Sequence, residues 1–240
     1  MIITSSSNDK IKYIKKLKQS KYIKEEKKFI VEGEHLVLEA KKNGVLLETY
    51  SLIDGDYGVK HTMVTKNVLD SITNLKNFND VIGVCKIKNE DIKIGGRIII
   101  LDGIQDPGNL GTIIRSANAF NFDTIVLSKT CVSIYNEKVI RATQGMIFNS
   151  NIIICDLIDF INKIKNEYDI YSTNVNNGID IKNIEKSEKM AFVIGNEGNG
   201  VSNDVNELIG KSIYIRMNDT CESLNAAVAS SIIMYEVNRS

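Results

Sequence analysis

The stretch RIIILDGIQDPGNLGTIIRSA, residues 97–117, carries a strand, a loop and the start of a helix. Residues 97–101 form a near-continuous β-branched run, the pattern of a strand covered on both faces. The loop from Asp102 to Asp106 leads into Pro107, the only proline of the chain, and Gly108, a pair that shapes a tight turn. Asn109 is placed to cap a helix over 109–120. Arg115 lies six residues further on, between Ile114 and Ala117. A guanidinium buried among small and apolar side chains is costly unless it meets an anion. Arg115 is therefore the first candidate for chemistry.

Strand, loop and helix then alternate to the end of the sequence. Strands are expected over 124–127, 151–155, 168–172, 190–194 and 212–216, and helices over 137–142, 156–166, 204–208 and 223–237. Runs this rich in Ile and Val predict a largely parallel sheet, whose ligand site gathers where loops leave the carboxyl ends of the strands. Two further loops stand out. Gly195-Asn196-Glu197-Gly198-Asn199-Gly200 lets a ligand approach the main chain, and Glu197 at its centre can accept hydrogen bonds or hold a cation. Residues 215–225 lead into a helix rich in Ala and Ser, with Ser223 as its candidate cap.

The spacing excludes familiar alternatives. A dinucleotide fingerprint needs GxGxxG after the first strand, but Gly103, Gly108 and Gly111 fall at other intervals. Neither GxxxxGK nor GxSxG occurs. Cys85, Cys131, Cys155 and Cys221 are dispersed, and His35 and His61 lie near none of them, so no metal site is expected. No apolar run approaches the ~18 residues that a membrane span needs, and the first residues resemble no export signal. A cytoplasmic protein is expected.

Upstream of residue 97 the sequence reads differently. Ser5, Ser6, Ser7 and Asn8 offer caps for a helix to about Lys18, with Ile11, Ile14 and Leu17 on one face. FIVEG, a helix in EHLVLEAKKNG, strands near 48–53, 61–64 and 81–86, and a helix over 66–75 complete a small α/β domain. Net charge is zero, yet nine lysines fall between Lys10 and Lys28, with Asp9, Glu25 and Glu26 the only acids up to that point. That asymmetry suits contact with a polyanion, and Lys12, Lys15, Lys16 and Lys18 occupy the open side of the helix. A merely solvated face fits the same pattern. The polar stretch ending at Gly95-Gly96 divides the chain into 1–90, a linker over 91–96, and 97–240.

The three loops resemble the signature motifs of the SpoU (TrmH-like) family, within the SPOUT class of RNA 2′-O-ribose methyltransferases. LDGIQDPGNLGTIIRSA resembles the first motif, with Asn109 and Arg115 at its characteristic positions. FVIGNEGNGVS resembles the second, through Glu197. IRMNDTCESLNAAVA resembles the third, through Ser223, Leu224 and Asn225. Arg216 departs from the proline usual there. The N-terminal segments resemble the small RNA-binding domain, similar to a ribosomal protein, of ribosomal RNA members, and 138–145 resembles a further family segment containing Arg141.

The resemblance implies a C-terminal α/β domain with a trefoil-knotted parallel sheet, homodimerisation through it, and S-adenosylmethionine as cofactor without a metal. It implies cofactor contacts at Thr173, Asn174, Gly195, Asn196, Gly200, Ile215, Met217, Ser223 and Leu224. Arg115 would carry catalysis, with Asn109, Glu197, Ser223 and Asn225 orienting it, the substrate and the cofactor. RNA would meet Lys12, Lys15, Lys16, Lys18 and Arg141. The implied substrate is a ribose 2′-hydroxyl of 23S ribosomal RNA. A transfer RNA substrate, or a non-catalytic role in RNA binding or ribosome assembly, stays open on the sequence alone.

Overall fold

The computed structural model describes residues 2–88, 93–175 and 177–239. Its contacts divide the chain into two compact units, Met1–Glu90 with Ser133–Asn149, and Asp91–Val132 with Ser150–Ser240. The segment 133–149, expected within the second domain, thus belongs with the first. Of the expected linker, positions 91 and 92 lie outside the described residues.

The first unit opens with β1 (Ile2–Ile3), α1 (Asp9–Lys16), α2 (Ser20–Glu26), β2 (Lys28–Glu32), α3 (Glu34–Lys42) and β3 (Leu46–Ser51). It continues through β4 (Lys60–Val64), α4 (Lys66–Ile72) and β5 (Ile82–Lys86). Its sheet has the order β1-β4-β3-β5-β2, and β5 alone runs against the rest. Asn8 caps α1 through the Lys10 amide, and Ile11 and Ile14 are fully buried in the core with Leu17, Val68 and Leu69. Each such side chain contributes roughly 1.5–3 kcal/mol. The helix stops two residues before Lys18, and α2 was not anticipated, because its only buried residue is Ile23. One buried position leaves no period to read. Helix α4 also ends early, at Ile72, with Thr73 already extended.

The second unit begins with β6 (Arg97–Leu101), α5 (Pro107–Ala119) and β7 (Thr124–Ser128). After α6 (Glu137–Thr143), which belongs to the first unit, come β8 (Ile152–Cys155), α7 (Leu157–Ile164), β9 (Asp169–Thr173) and β10 (Ile179–Asp180). The chain ends with β11 (Met190–Ile194), α8 (Asn203–Ile209), β12 (Ser212–Tyr214) and α9 (Ala226–Asn238). The sheet order is β10-β12-β9-β11-β6-β7-β8, and every pairing is parallel. Ile98, Ile99, Ile100 and Leu101 are fully buried, as expected for a strand covered on both faces. Parallel strands send their loops out at one end of the sheet, and the loops after β6, β11 and β12 are the three singled out above.

Candidate active site

The loop after β6 enters α5 through Asp106, whose carboxylate accepts a hydrogen bond from the Asn109 amide at 2.7 Å, with Pro107 in the first turn. Asp106, not Asn109, is the N-cap. The Asp-Pro pair was the available signal, since Asp favours the cap and Pro the first helical position. With Asp106 as the cap, the Asn109 side chain is released from the helix end. Its Nδ2 donates to Glu197 Oε1 at 2.7 Å, and its Oδ1 accepts from Asn225 Nδ2 at 2.9 Å. Asn225 caps α9 by accepting from the amides of Ala227 and Val228. Ser223 therefore does not cap that helix, and α9 starts at Ala226 rather than 223. A side chain in the first turn of α5 thereby joins one from each of the other two loops in a single chain of hydrogen bonds.

The loop after β11 is braced from within. Asn196 and Gly200 exchange backbone hydrogen bonds at 3.0 and 2.8 Å, while Asn196 Oδ1 accepts from Gly198 N at 2.9 Å. Asn196 Nδ2 donates to Gly103 O at 2.8 Å, and Asp102 Oδ2 accepts from Ser202 N at 2.9 Å, so this loop is tied to the one after β6. A Cβ on Gly195 would lie 2.0 Å from the Gly200 carbonyl carbon and the Val201 nitrogen, so only glycine closes the turn this tightly.

After β12 the chain leaves the sheet at Tyr214, short of the expected 216. Arg216 Nε lies 3.3 Å from Asp180 Oδ2, and Asp180 itself is nearly buried and caps the turn over Ile181–Asn183. An ion pair to the neighbouring strand thus fastens the loop at the position where the sequence departs from the proline pattern.

The loops after β9, β11 and β12 enclose a cavity of about 580 Å³. Thr173, Asn174, Gly195, Asn196, Gly200, Ile215, Met217, Ser223 and Leu224 all line it, as do Glu197 and Glu222. Its size is ordinary for a site holding a cofactor-sized ligand. Several lining side chains are committed elsewhere, among them Asn196 in the braces above, Asn206, whose amide donates to Val201 O at 2.9 Å, and Thr173, whose hydroxyl donates to Val193 O at 2.9 Å. Glu222, Asn203 and Asn206 were not anticipated as lining residues. Only Glu222 carried a signal, its place directly before Ser223.

Arg115 stands apart from this network. It is exposed on α5, and among the described residues it makes no hydrogen bond or ion pair. The burial cost that first drew attention to it does not arise, because α5 packs against α9 through another face, where Ser116 and Ser231 hydroxyls meet at 2.8 Å. An exposed, unpaired guanidinium is nevertheless free to take an anion.

In the first unit, Arg141 Nη1 pairs with Glu32 Oε2 at 2.9 Å, and Glu32 is nearly buried. Arg141 is thus held by an internal carboxylate rather than open to a polyanion. Lys18 Nζ donates to Asn74 Oδ1 at 3.3 Å, and Asn74 Nδ2 donates to Glu137. Burial pulls the Lys18 ammonium below the usual lysine range, while Glu32 and Glu137 pull it back up. Lys12 and Lys16 are exposed, Lys12 with Asp9 at 3.5 Å and Lys16 over the Tyr22 ring at 5.5 Å. Lys15 is half-buried. Among the described residues, no group of three or more His, Cys, Asp or Glu gathers as metal ligands would, and no helix is long and apolar enough to cross a membrane.

The sequence model of the SpoU rRNA Methylase family matches residues 96–235. This chain belongs to that family. Residues 8–83 also match the MRM3-like substrate binding domain. The 23S rRNA (guanosine(2553)-2'-O)-methyltransferase RlmP of Bacillus subtilis is 32% identical over 243 residues, covering 98% of each chain. A solved rRNA methyltransferase from Sinorhizobium meliloti superposes with a TM-score of 0.89 at 28% identity, over 99% of this chain and 96% of that one. The AdoMet-bound form of an rRNA methyltransferase from the same organism gives 0.88 at 27%, over 99% and 97%. The SpoU match runs from the start of the second unit into α9, and so includes all three loops of the site.

Proposed function

We propose that this SpoU protein transfers a methyl group from S-adenosylmethionine to a ribose 2′-hydroxyl of 23S ribosomal RNA. The hydrogen-bonded chain Glu197–Asn109–Asn225 beside the cavity carries the reading, because it joins the three motif loops into one constellation. The activity of the Bacillus subtilis relative and the bound cofactor of the Sinorhizobium meliloti structure support the substrate and the donor.

The residues fit the cofactor. The cavity offers backbone edges at Gly195 and Gly200, apolar walls at Ile215, Met217 and Leu224, and carboxylates at Glu197 and Glu222 for the cationic portion. When bound, the cofactor supplies an electrophilic methyl group. Everything else falls to the chain. Asn109, fixed at both ends of its amide, holds Glu197 and the start of α9 at a set spacing. Arg115 takes the phosphate beside the target ribose and steadies the alkoxide as its proton departs. A guanidinium does this as a cation rather than as a base. Ser223, in the cavity wall, orients the reacting groups.

The first unit, with Lys12, Lys15 and Lys16 on α1, holds the RNA. The second forms a homodimer and carries the trefoil knot. Val228, Ile232 and Tyr235 are exposed at helical spacing along α9, an apolar stripe suited to a second copy. The enzyme acts in the cytoplasm, where ribosomal RNA is matured. The test is methylation of ribosomal and transfer RNA by purified protein, followed by alkaline hydrolysis. A methylated 2′-oxygen cannot attack the adjacent phosphate, so the modified position in 23S RNA should resist cleavage. An alkali-labile modified nucleotide, or transfer to tRNA alone, would overturn the assignment.

A further inference from the structure

Two of the residues lining the cavity are ionisable acids, Glu197 and Glu222, and no Lys, Arg or His lines it among the described residues. The two carboxylates differ. Glu197 is held by Asn109 through Oε1. Glu222 is exposed, directly precedes Ser223, and among the described residues has neither a hydrogen bond nor an ion pair. An unpaired carboxylate in the wall of a cavity with no compensating cation favours whichever ligand carries more positive charge.

The reaction changes that charge. S-adenosylmethionine has a sulfonium, an ammonium and a carboxylate, for a net charge of plus one. Transfer breaks the S–CH3 bond, leaves its electron pair on sulfur and forms the O–CH3 bond, while the hydroxyl proton passes to water. The product S-adenosylhomocysteine is a thioether with net charge zero. We propose that Glu222 is a specificity-determining residue that makes the cavity prefer the sulfonium cofactor to its thioether product, and so aids product release. This rests on the cavity being the cofactor site. A charge several ångströms away at a wet site is worth about two- to tenfold in relative affinity.

The experiment is calorimetric titration of full-length protein and E222Q with S-adenosylmethionine, S-adenosylhomocysteine and sinefungin, which places an amine where the sulfonium stands. Wild type should bind the two cationic ligands several-fold more tightly than S-adenosylhomocysteine. E222Q should shrink that ratio toward one, chiefly by weakening the cationic ligands, while E222D should keep most of it. Raising salt should narrow the wild-type ratio as well. Equal weakening of all three ligands would place Glu222 on the shared ammonium and overturn the proposal. An unchanged ratio in E222Q, or tighter product binding by wild type, would overturn it too. If no ligand bound wild type, the cavity assignment would fail first. Circular dichroism of E222Q separates misfolding from either outcome.

Discussion

In the second unit all seven strands run in one direction, whereas in the first, β5 runs against its four companions. Uniform direction delivers the loops after β6, β11 and β12 to one end of the sheet. There the loops after β11 and β12 share a cavity, and Asn109, just after the β6 loop, is hydrogen-bonded to both. The mixed sheet spreads its connections over both ends, and its charged residues serve as a surface or as internal ties. Polarity also separates the units. The charged side chains lining the cavity are two carboxylates, while α1 carries lysines. The same helical residue type plays opposite parts in the two. Arg115 is exposed and unpaired, and Arg141 is bound to a buried carboxylate.

That contrast is open to direct attack. Arg115→Ala should cut methyl transfer by roughly 10²-fold or more while leaving cofactor affinity within a few fold, as loss of a transition-state group does. Single-turnover rates and calorimetry on the same preparation decide it. Collapse of cofactor binding in a folded protein would move Arg115 into the cavity and erase the distinction. Arg141→Met should instead cost stability. Removing one partner of a buried pair costs about 3–5 kcal/mol, and partial exposure of Arg141 reduces this to about 2 kcal/mol. Urea unfolding measures the loss, and the double change with Glu32→Leu should recover much of it. A normal unfolding midpoint with weakened RNA binding would show Arg141 to be an RNA contact after all.

The smallest effect sharpens the division between the lysines of α1 and Lys18 just beyond it. Replacing Lys12, Lys15 and Lys16 by Gln should flatten the slope of log affinity against log salt by up to about three times ~0.7–0.9. Lys18→Gln, whose ammonium is already engaged with Asn74, should leave the slope alone. Filter binding of RNA at several salt concentrations reads both. An unchanged slope in the triple variant would reduce α1 to a solvated face.

The sequence made the second unit legible because its strands are continuous β-branched runs and its loops hold long motifs. Residues 190–194 were bounded to the residue, and every expected cofactor contact lines the cavity. The failures have local causes. The cap of α5 was misassigned because Asp106 and Asn109 are both good caps, and only the intervening Pro107 decides between them. Arg115 was suspected for the wrong reason, since sequence gives neighbours along the helix but not the face each one takes. The Glu32–Arg141 pair spans 109 positions, and no periodicity reaches that far. The same distance hid the membership of 133–149 in the first unit.

That segment has a consequence for how the protein is made. Helix α6 seats Val139 and Ile140 in buried positions, and Arg141 neutralises Glu32. The first unit therefore lacks a piece of its structure until residue 149 has left the ribosome. By then the residues of β6, α5 and β7 of the other unit have already been synthesised. The two units mature interleaved rather than in succession, contrary to the usual order of domain folding during synthesis. It follows that cutting the chain at residue 97 yields no clean module. The fragment 97–240 would carry α6 without the surface it packs on, and Val139 and Ile140 would face water, an invitation to aggregate.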